Sequence, residues 1–304
     1  MNTSGHTVRV VAWMLVALSG FSMLAIASRE LTANLSPFEI LFWRSSLGIV
    51  LIGALLARQN PQAFQQQNLR FVRWHFLRNL CHFGGQCAWL FAIAVIPLAE
   101  LFALEFTTPL WAALIAMVFL GEKLNLYRLA ALTLGLLGVL VILRPGVEAI
   151  HPASLVMLVG AIGFAISVIT TRHITKIQHD QRSSVLLVLF YMVVMHTCFA
   201  GIAIGGDMAI PARELWPWIL MTTLSALGAH FALTKALTLA DAAVVLPIDY
   251  LRLPLITVIA WWLYDEPLTW QLAAGAALII GGNALSLYGE KRQERKYAAA
   301  NSGE

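Results

Sequence analysis

Apolar and polar segments alternate along this chain, and the apolar segments have about the length of a membrane span. Short polar connections separate ten apolar stretches. A helix needs roughly 20 apolar residues to cross a bilayer. The pattern predicts ten spans, at 9–28, 37–57, 74–96, 98–119, 126–143, 152–171, 184–204, 214–236, 242–263 and 269–288. Because backbone groups in lipid must bond internally, and nothing here alternates like barrel strands, we expect these spans to be helices.

The second half of the chain repeats the first. Moving Ala92–Leu124 forward by 236 − 92 = 144 positions superposes it on Ala236–Leu268 without a gap. Such repeats in an apolar chain are typical of secondary transporters. Five spans per half is an odd number, so the second half enters the membrane in the opposite direction. The predicted fold is an all-α membrane protein with ten transmembrane helices, arranged as two inverted five-helix repeats.

Composition supports a membrane protein. Apolar residues make up 59% and charged residues 12% of the chain, against roughly 25% charged residues in soluble domains. The net charge of +4 does not indicate a nucleic-acid partner, because the basic residues lie between the spans as loop anchors do. The three cysteines lie inside apolar spans without metal-ligand spacing, so they are interpreted as core residues, and no metal or cofactor is expected.

The distribution of lysine and arginine predicts the orientation in the inner membrane. With a cytoplasmic N-terminus, only Arg29, Arg144 and Arg213 lie on the outer side. The cytoplasmic segments then hold fourteen basic residues: Arg9, Arg58, Arg70, Arg73, Lys123, Arg128, Arg172, Lys176, Arg182, Lys235, Lys291, Arg292, Arg295 and Lys296. We therefore expect both termini inside. The expected organisation is a first repeat at 1–146, a second at 147–290, and a loosely ordered charged cytoplasmic tail at 291–304.

The segment Leu98–Gly146 resembles the EamA-type half of the drug/metabolite transporter superfamily. The resemblance rests on Pro109, on Gly121-Glu122, and on Gly135 with Gly138. In the second half the matching residues are Pro254, Asp265-Glu266, Gly275 and Gly281-Gly282; Arg44 and Arg78 fit family arginines in the second and third helices. The resemblance covers about residues 9–288 and implies a ten-helix carrier with a central cavity. It names no cargo.

The fifth and tenth helices are rich in glycine and almost free of polar side chains. Their glycines are Gly135, Gly138, Gly275, Gly281 and Gly282. Small residues let helix backbones approach closely. These helices are expected to pack either within the bundle or between the two protomers of a homodimer.

A polar stripe on the third helix is the sharpest candidate for a substrate site. Arg78, His82 and Gln86 are spaced four apart and lie on one face, which Trp89 continues. Three polar groups are too many for a side that faces lipid, so this stripe is expected to line a cavity. The alternative is that Arg78 reaches the cytoplasmic headgroups and the others bond to neighbouring helices.

Arg44 is the second candidate, about a third of the way into the second helix. A guanidinium at that depth suits a carboxylate or phosphate on the cargo, although an internal ion pair with a residue such as Glu39 is the alternative.

Two acids occupy matching positions in the repeats. Glu105 aligns with Asp249, and Arg252 follows Asp249 by three residues, so those two can pair on one helix face. Glu105 has no partner on its own helix and lies near Thr108 and Pro109, where a freed carbonyl is useful beside a binding site. We expect Glu105 to couple transport to protons, and Thr108, Asp249 and Arg252 to contact substrate. The alternative for Asp249 and Arg252 is a structural ion pair.

Histidines provide the remaining polar candidates. His230 is the repeat counterpart of Gln86 and either faces the cavity or bonds across helices. His196, a lone histidine in an apolar span, is expected to be packed and hydrogen-bonded. Glu122 and Glu266 lie at helix ends and are expected to make caps or loop contacts.

The sequence thus predicts a secondary active transporter of a small anionic or zwitterionic metabolite that works by alternating access. There is no nucleotide-binding G-x-x-x-x-G-K and no catalytic H-E-x-x-H or G-x-S-x-G, so an enzyme is not expected. The expected partners are the small-molecule substrate and the lipid bilayer. Alternatives are a facilitator or exchanger without proton coupling, and, less favoured, a lipid-scrambling or other membrane-embedded protein.

A reporter fused to the C-terminus tests the orientation. We expect it to be active as a cytoplasmic reporter, because fourteen basic residues anchor that side against three on the other. A reporter that works only in the periplasm would contradict both the orientation and the inverted repeat derived from it.

Overall fold

The computed structural model describes residues 3–59, 69–120, 126–144, 150–177, 185–206, 208–240, 245 and 248–301. The helices are α1 (Thr3–Thr32), α2 (Pro37–Gln59), α3 (Leu69–Ile93), α4 (Leu98–Glu105), α5 (Thr108–Leu120), α6 (Leu126–Leu143), α7 (Pro152–Ile177), α8 (Val185–Ile204), α9 (Trp216–Leu239), α10 (Arg252–Tyr264) and α11 (Trp270–Asn301). None of these residues is in a strand. Gly121-Glu122, Lys123, Arg182, the boundary between the repeats and most of the first turns of the ninth span lie outside these ranges.

Six helices are long and apolar enough to cross a membrane. They correspond to Val8–Thr32, Pro37–Arg58, Leu98–Val118, Pro152–Thr171, Leu186–Ile204 and Trp270–Gly289, and Leu129–Leu143 and Arg252–Tyr264 are shorter apolar helices. The helices α3 and α9 are long enough but less apolar, since they hold polar side chains such as His82 and His230. The prediction of an all-helical membrane fold is confirmed.

The fourth span breaks in its middle, and Pro109 explains where. α4 ends at Glu105 and α5 begins at Thr108. Pro109 has no N–H, so the carbonyl of Glu105 loses its helical donor. The hydroxyl of Thr108 donates to that carbonyl instead, at 2.6 Å. Asn283 of α11 donates its side-chain amide to the carbonyl of Phe106 at 2.7 Å, so the break is satisfied without water.

Contacts between helix ends show that the two halves are inverted. Arg29 near the end of α1 meets Glu266, which also accepts the main-chain N–H of Leu98 at the start of α4. Ser154 at the start of α7 donates to Glu100, also at the start of α4, at 2.7 Å. α1 and α7 occupy the same place in their repeats. Since α1 finishes at the end of the bundle where α7 begins, the repeats run through the membrane in opposite directions.

Helix packing follows the same symmetry. α1 packs along α9, while its counterpart α7 packs along α3; α2 packs on α8, and α6 on α11. Small residues permit the close pairs. A Cβ at Gly20 would meet Ala229 Cβ at 3.0 Å, and one at Gly163 would meet the Cys81 carbonyl at 2.8 Å. Each close pair therefore joins one half of the chain to the other.

The glycine-rich helices pack against each other within the chain. A Cβ added at Gly138 would lie 2.6 Å from the Gly275 carbonyl, and one at Gly282 would lie 2.8 Å from the Ala131 carbonyl. Gly135 faces Leu110 in the same way. Of the glycines predicted for packing, Gly281 has nothing within 4 Å among the residues described. A homodimer through these helices stays a prediction, and most of the glycines expected to form it are already in use.

The last helix is longer than the tenth span predicted from the sequence. The tail was expected to be loosely ordered, but α11 continues to Asn301. Arg292 donates to the hydroxyl of Tyr127, and the ring of Tyr288 meets that of Tyr127 at 5.8 Å. These contacts on α6 carry the helix beyond the apolar segment, because the amphipathic arginine and tyrosine bond where the span ends.

Two glycines of α11 that lie six residues apart test the packing of α6 against α11. Gly275→Ala should destabilise the protein, because its Cβ would lie 2.5 Å from Ile142 Cγ1 and 2.6 Å from the Gly138 carbonyl. Gly281→Ala is the matched control and should be neutral or stabilising, since its Cβ meets open space and alanine is favoured in helices by up to about 1 kcal/mol. Unfolding midpoints in detergent measure both; equal midpoints would contradict the close approach.

Candidate functional site

A small cavity lies between the two halves of the bundle. Its lining comes from α1, α2 and α3 of the first half and from α8 and α9 of the second: Leu24, Arg44, Ser45, His82, Gln86, Met192, Val193, His196, Thr223, Ala226, Leu227 and His230. Its volume of about 20 Å³ is enough for one water molecule. Metabolite sites need roughly 300–1,000 Å³, so the cavity in this structure is too small to hold a metabolite.

Arg44 is the permanent charge on the cavity wall. It is only 7% exposed, and its Nη2 donates to Gln86 Oε1 at 3.0 Å. Its Nη1 has no acceptor among the residues that the structure describes. None of the acids in those ranges forms an ion pair with it either. A buried guanidinium with a spare N–H is costly in the absence of an anion.

Three histidines stand beside Arg44. His82 Nδ1 and His196 Nε2 lie 3.3 Å apart, with their rings stacked at 5.2 Å. The ring of His230 lies 6.2 Å from that of His82. His196 is hydrogen-bonded, as the sequence suggested, but its partner is a second histidine and both rings line the cavity. The sequence signal for a cavity role of His196 is that it is an ionisable residue in an otherwise apolar span.

Only part of the predicted α3 stripe lines the cavity. His82 and Gln86 line the cavity, whereas Arg78 is not among its lining residues and bonds to Asn79 Oδ1 at 2.6 Å and Thr171 Oγ1 at 3.4 Å. Trp89 points its Nε1 at Glu105 Oε2, 2.8 Å away. Thr108 is likewise outside the lining in this form.

A second polar cluster joins the repeat-related acids. Arg252 lies between them, with Nη1 at 3.4 Å from Glu105 Oε1 and Nη2 at 3.0 Å from Asp249 Oδ2. The predicted i,i+3 pair is therefore present, but Asp249 lies before the turn at Tyr250-Leu251 and Arg252 begins α10, so the pair bridges a break in the ninth span. Glu105 has no partner on its own helix but receives one from the other half of the chain, which the sequence analysis did not anticipate.

Aromatic rings surround Arg252. Its guanidinium carbon lies 4.4 Å from the ring centre of Phe21, 5.3 Å from that of Phe102 and 5.0 Å from that of Phe106, so cation–π attraction adds to the ion pairs. Phe21 also meets the ring of His230 edge-on at 5.3 Å. Phe21 therefore stands between the cavity and the Glu105–Arg252–Asp249 cluster.

Glu266 ties one end of the bundle. This side chain is 9% exposed; it pairs with Arg29 of α1 and accepts the main-chain N–H of Leu98 at 2.8 Å. An acid at a helix N-terminus is favoured by the unpaired N–H groups there. Tyr264 adds a bond to Glu30 at 2.9 Å. The expected loop contact is thus also a cap on α4.

The charges buried near the centre do not cancel. Arg44, Arg78 and Arg252 are positive, and Glu105 and Asp249 are negative. Arg252 pairs with both acids, so within the described part of the chain Arg44 and Arg78 are both left without an acidic partner. Arg78 bonds to two neutral side-chain oxygens, whereas Arg44 keeps a spare N–H on the cavity wall. An anion in the cavity would balance the charge of Arg44.

Comparison with known proteins identifies the family. Residues 8–144 and again 151–288 match the EamA-like transporter family. A riboflavin transporter of Rhizobium johnstonii is 29% identical, over 94% of this chain and 93% of its own. An S-adenosylmethionine uptake transporter of Rickettsia bellii is 25% identical over 94% and 96%. The pseudopaline exporter CntI of Pseudomonas aeruginosa is 27% identical over 88% and 92%.

The fold is also found among solved structures. One protein crystal structure aligns with a TM-score of 0.63 at 19% identity, covering 94% of this chain and 98% of that one. At that identity the likeness concerns the fold alone.

Removing Arg252 tests the second cluster. Arg252→Met should destabilise the protein strongly, by about 3–5 kcal/mol, because two buried carboxylates lose their cation. Adding Glu105→Gln and Asp249→Asn to that variant should restore most of the loss, since no charge is then left unpaired. Arg213→Met, at an exposed arginine, is the control, and detergent unfolding curves measure all three. An Arg252→Met curve like that of Arg213→Met would refute the cluster's role.

Proposed function

The chain belongs to the EamA-like transporter family, and on that premise we propose that it is a secondary active carrier of a small anionic or zwitterionic metabolite. It is a multi-pass membrane protein of the small-metabolite transporters. Its similar relatives are named for riboflavin, S-adenosylmethionine and pseudopaline. Because those cargoes differ, the choice of cargo class here comes from the site and not from the names.

The unpaired guanidinium of Arg44 supports a carboxylate on the cargo. It is buried, lines the cavity, and has a free Nη1 donor within the described ranges. A carboxylate that displaced Gln86 or used this spare donor would remove the cost of the buried charge. The planar fork of arginine suits that bidentate contact better than an ammonium would.

The remaining lining supports the same class. Ser45, Gln86 and the histidines offer hydrogen-bond donors to an anion, while the hydroxyl of Thr223 already donates to main-chain carbonyls. No acid among the described residues lines the cavity. A lipophilic cation would therefore meet Arg44 without any compensating negative charge.

Transport would proceed by alternating access. The cavity lies between two inverted halves, and the halves of such carriers rock about a site at the membrane midplane. In this structure Glu266 and Arg29 tie one end of the bundle. As part of this proposal the protein lies in the inner membrane with both termini in the cytoplasm, as the lysine and arginine distribution predicts.

The energy source would be an ion gradient or the cargo's own gradient, since the sequence contains no G-x-x-x-x-G-K. The sequence points to Glu105 as the proton carrier. That hypothesis now has to account for the bond from Trp89 and the ion pair with Arg252. A carrier without a coupled proton would be a facilitator or an exchanger.

A panel of acids and their amides tests the cargo class. We expect one or more of succinate, pyruvate and L-glutamate to raise the unfolding midpoint by mass action, while the corresponding amides do so less. Arg44→Gln should weaken that binding by more than about tenfold, equivalent to about 1.4 kcal/mol, because the cavity then has no guanidinium to pair with the carboxylate.

Arg78→Gln is the matched comparison, since Arg78 lies outside the lining. An equal loss in both variants would return the cargo site to the whole α3 stripe. Undiminished binding in Arg44→Gln, or stabilisation by lipophilic cations alone, would contradict the proposal.

A further inference from the structure

We propose that His82 and His196 form a proton site that is filled together with the cargo, so that one proton moves with each cargo anion. This inference rests on the proposed function and deepens it, because it assigns the coupling ion and the residues that bind it. It places coupling in the substrate cavity itself, on a residue pair that joins the two halves of the chain.

The geometry of the pair is that of two rings sharing one proton. His82 Nδ1 and His196 Nε2 are 3.3 Å apart, so one nitrogen donates its N–H and the other accepts through its lone pair. Both side chains are buried, with His82 8% and His196 1% exposed. A further proton goes to the outer nitrogen of the donating ring. That ring becomes an imidazolium, and its bond to the other ring becomes charge-assisted.

The charged and titratable groups that face the pair are all basic. Arg44 faces it from α2, Arg78 from α3 itself, and His230 from α9. In the described part of the chain no acid lines this cavity; Glu105 and Asp249 lie beyond Phe21 and are held by Arg252. With the cavity empty, a positive charge on the pair would therefore be repelled by Arg44 and Arg78.

A bound carboxylate reverses this balance. Placed on Arg44, it cancels one of the positive charges that face the pair. Charges a few ångströms apart in a protein interior interact by several kcal/mol, so the cost of protonating the pair falls when the anion is present. Linkage is reciprocal: a proton on the pair strengthens anion binding by the same factor. Cargo and proton then enter and leave together.

The two histidines come from opposite halves of the molecule, His82 from α3 and His196 from α8. Relative movement of the halves separates or joins the rings, which changes how a proton is held on each side of the membrane. Glu105 is less suited to that task in the cavity, because Trp89 and Arg252 already stabilise its charged form.

The first measurement uses the parent protein. Purified protein in weakly buffered detergent receives succinate, pyruvate or L-glutamate at matched pH while an indicator dye reports protons. We expect uptake of about one proton per bound anion, and a dissociation constant that rises by up to about tenfold per pH unit as the pH increases. The corresponding amides should cause no uptake.

Variants assign the proton to the pair. The double variant His82→Gln with His196→Gln keeps polar groups that can bond to each other. It should bind the anion with the weaker affinity that the parent shows at high pH, with proton uptake near zero and little pH dependence. His75→Gln is the control, because His75 is also buried on α3 but stacks on Tyr191 at 4.4 Å, outside the cavity lining. It should behave like the parent.

Glu105→Gln separates the two candidate proton sites, and it decides the matter even if the double histidine variant does not fold. Uptake retained in Glu105→Gln supports the histidine pair. Uptake lost there, or retained in the double histidine variant, overturns the inference in favour of another group. Anion binding without any proton uptake by the parent overturns the inference alone, while failure of every anion to bind the parent overturns the proposed function as well.

Discussion

Every buried charge in this bundle must be compensated inside a hydrocarbon environment, and the placement of the arginines follows from that. A charge at the centre of a spanning helix costs about 2.5–3.5 kcal/mol even on insertion scales. Arg252 is compensated three times over, by two carboxylates and by aromatic faces. Arg44 has only a neutral amide within the described residues. The first arginine therefore contributes to the structure, and under the proposed function the charge of the second is compensated by the cargo anion.

The symmetry of the frame contrasts with the asymmetry of the lining. The helix pairs α1–α9 and α7–α3 are equivalent, and the repeat-related rings of Phe106 and Tyr250 touch at 5.3 Å. Yet Gln86 corresponds to His230, and His82 to Ala226, all four of them on the cavity wall. Equivalent helix packing gives the two inverted halves comparable contacts in either arrangement, as alternating access needs. In the proposed mechanism, the unequal side chains then determine which cargo fits.

Features that depend on local chemistry could be predicted from the sequence. The spans follow from runs of apolar residues, and the break in the fourth follows from Pro109, whose missing N–H acts on a carbonyl four residues away. The repeat predicted that Glu105 and Asp249 are equivalent. It could not show that one guanidinium reaches both, because that requires knowing the distance between halves to within an ångström.

His196 shows the same limit from the other direction. In the sequence it is a single polar residue in an apolar span, and nothing nearby in the chain marks its partner. The contact with His82 joins residues 196 − 82 = 114 positions apart and arises only when α3 packs beside α8. The length of α11 was mispredicted for a related reason. Its charged end gains helix-stabilising contacts on Tyr127 of α6, which lies far away in the sequence.

If the cavity opens by movement of the two halves, bonds within one half can stay intact, whereas bonds between the halves must change. The Arg44–Gln86 bond joins α2 to α3 in the first half, so a rigid movement of that half leaves it intact. The His82–His196 contact and the Glu105–Arg252 pair cross between the halves and must stretch or break. A cavity that grows from about 20 Å³ to metabolite size has to separate such contacts. Under the proposed function, the anion site thus travels as a unit, while the contacts that change during the movement are those of the histidine pair and of the Glu105–Arg252 ion pair.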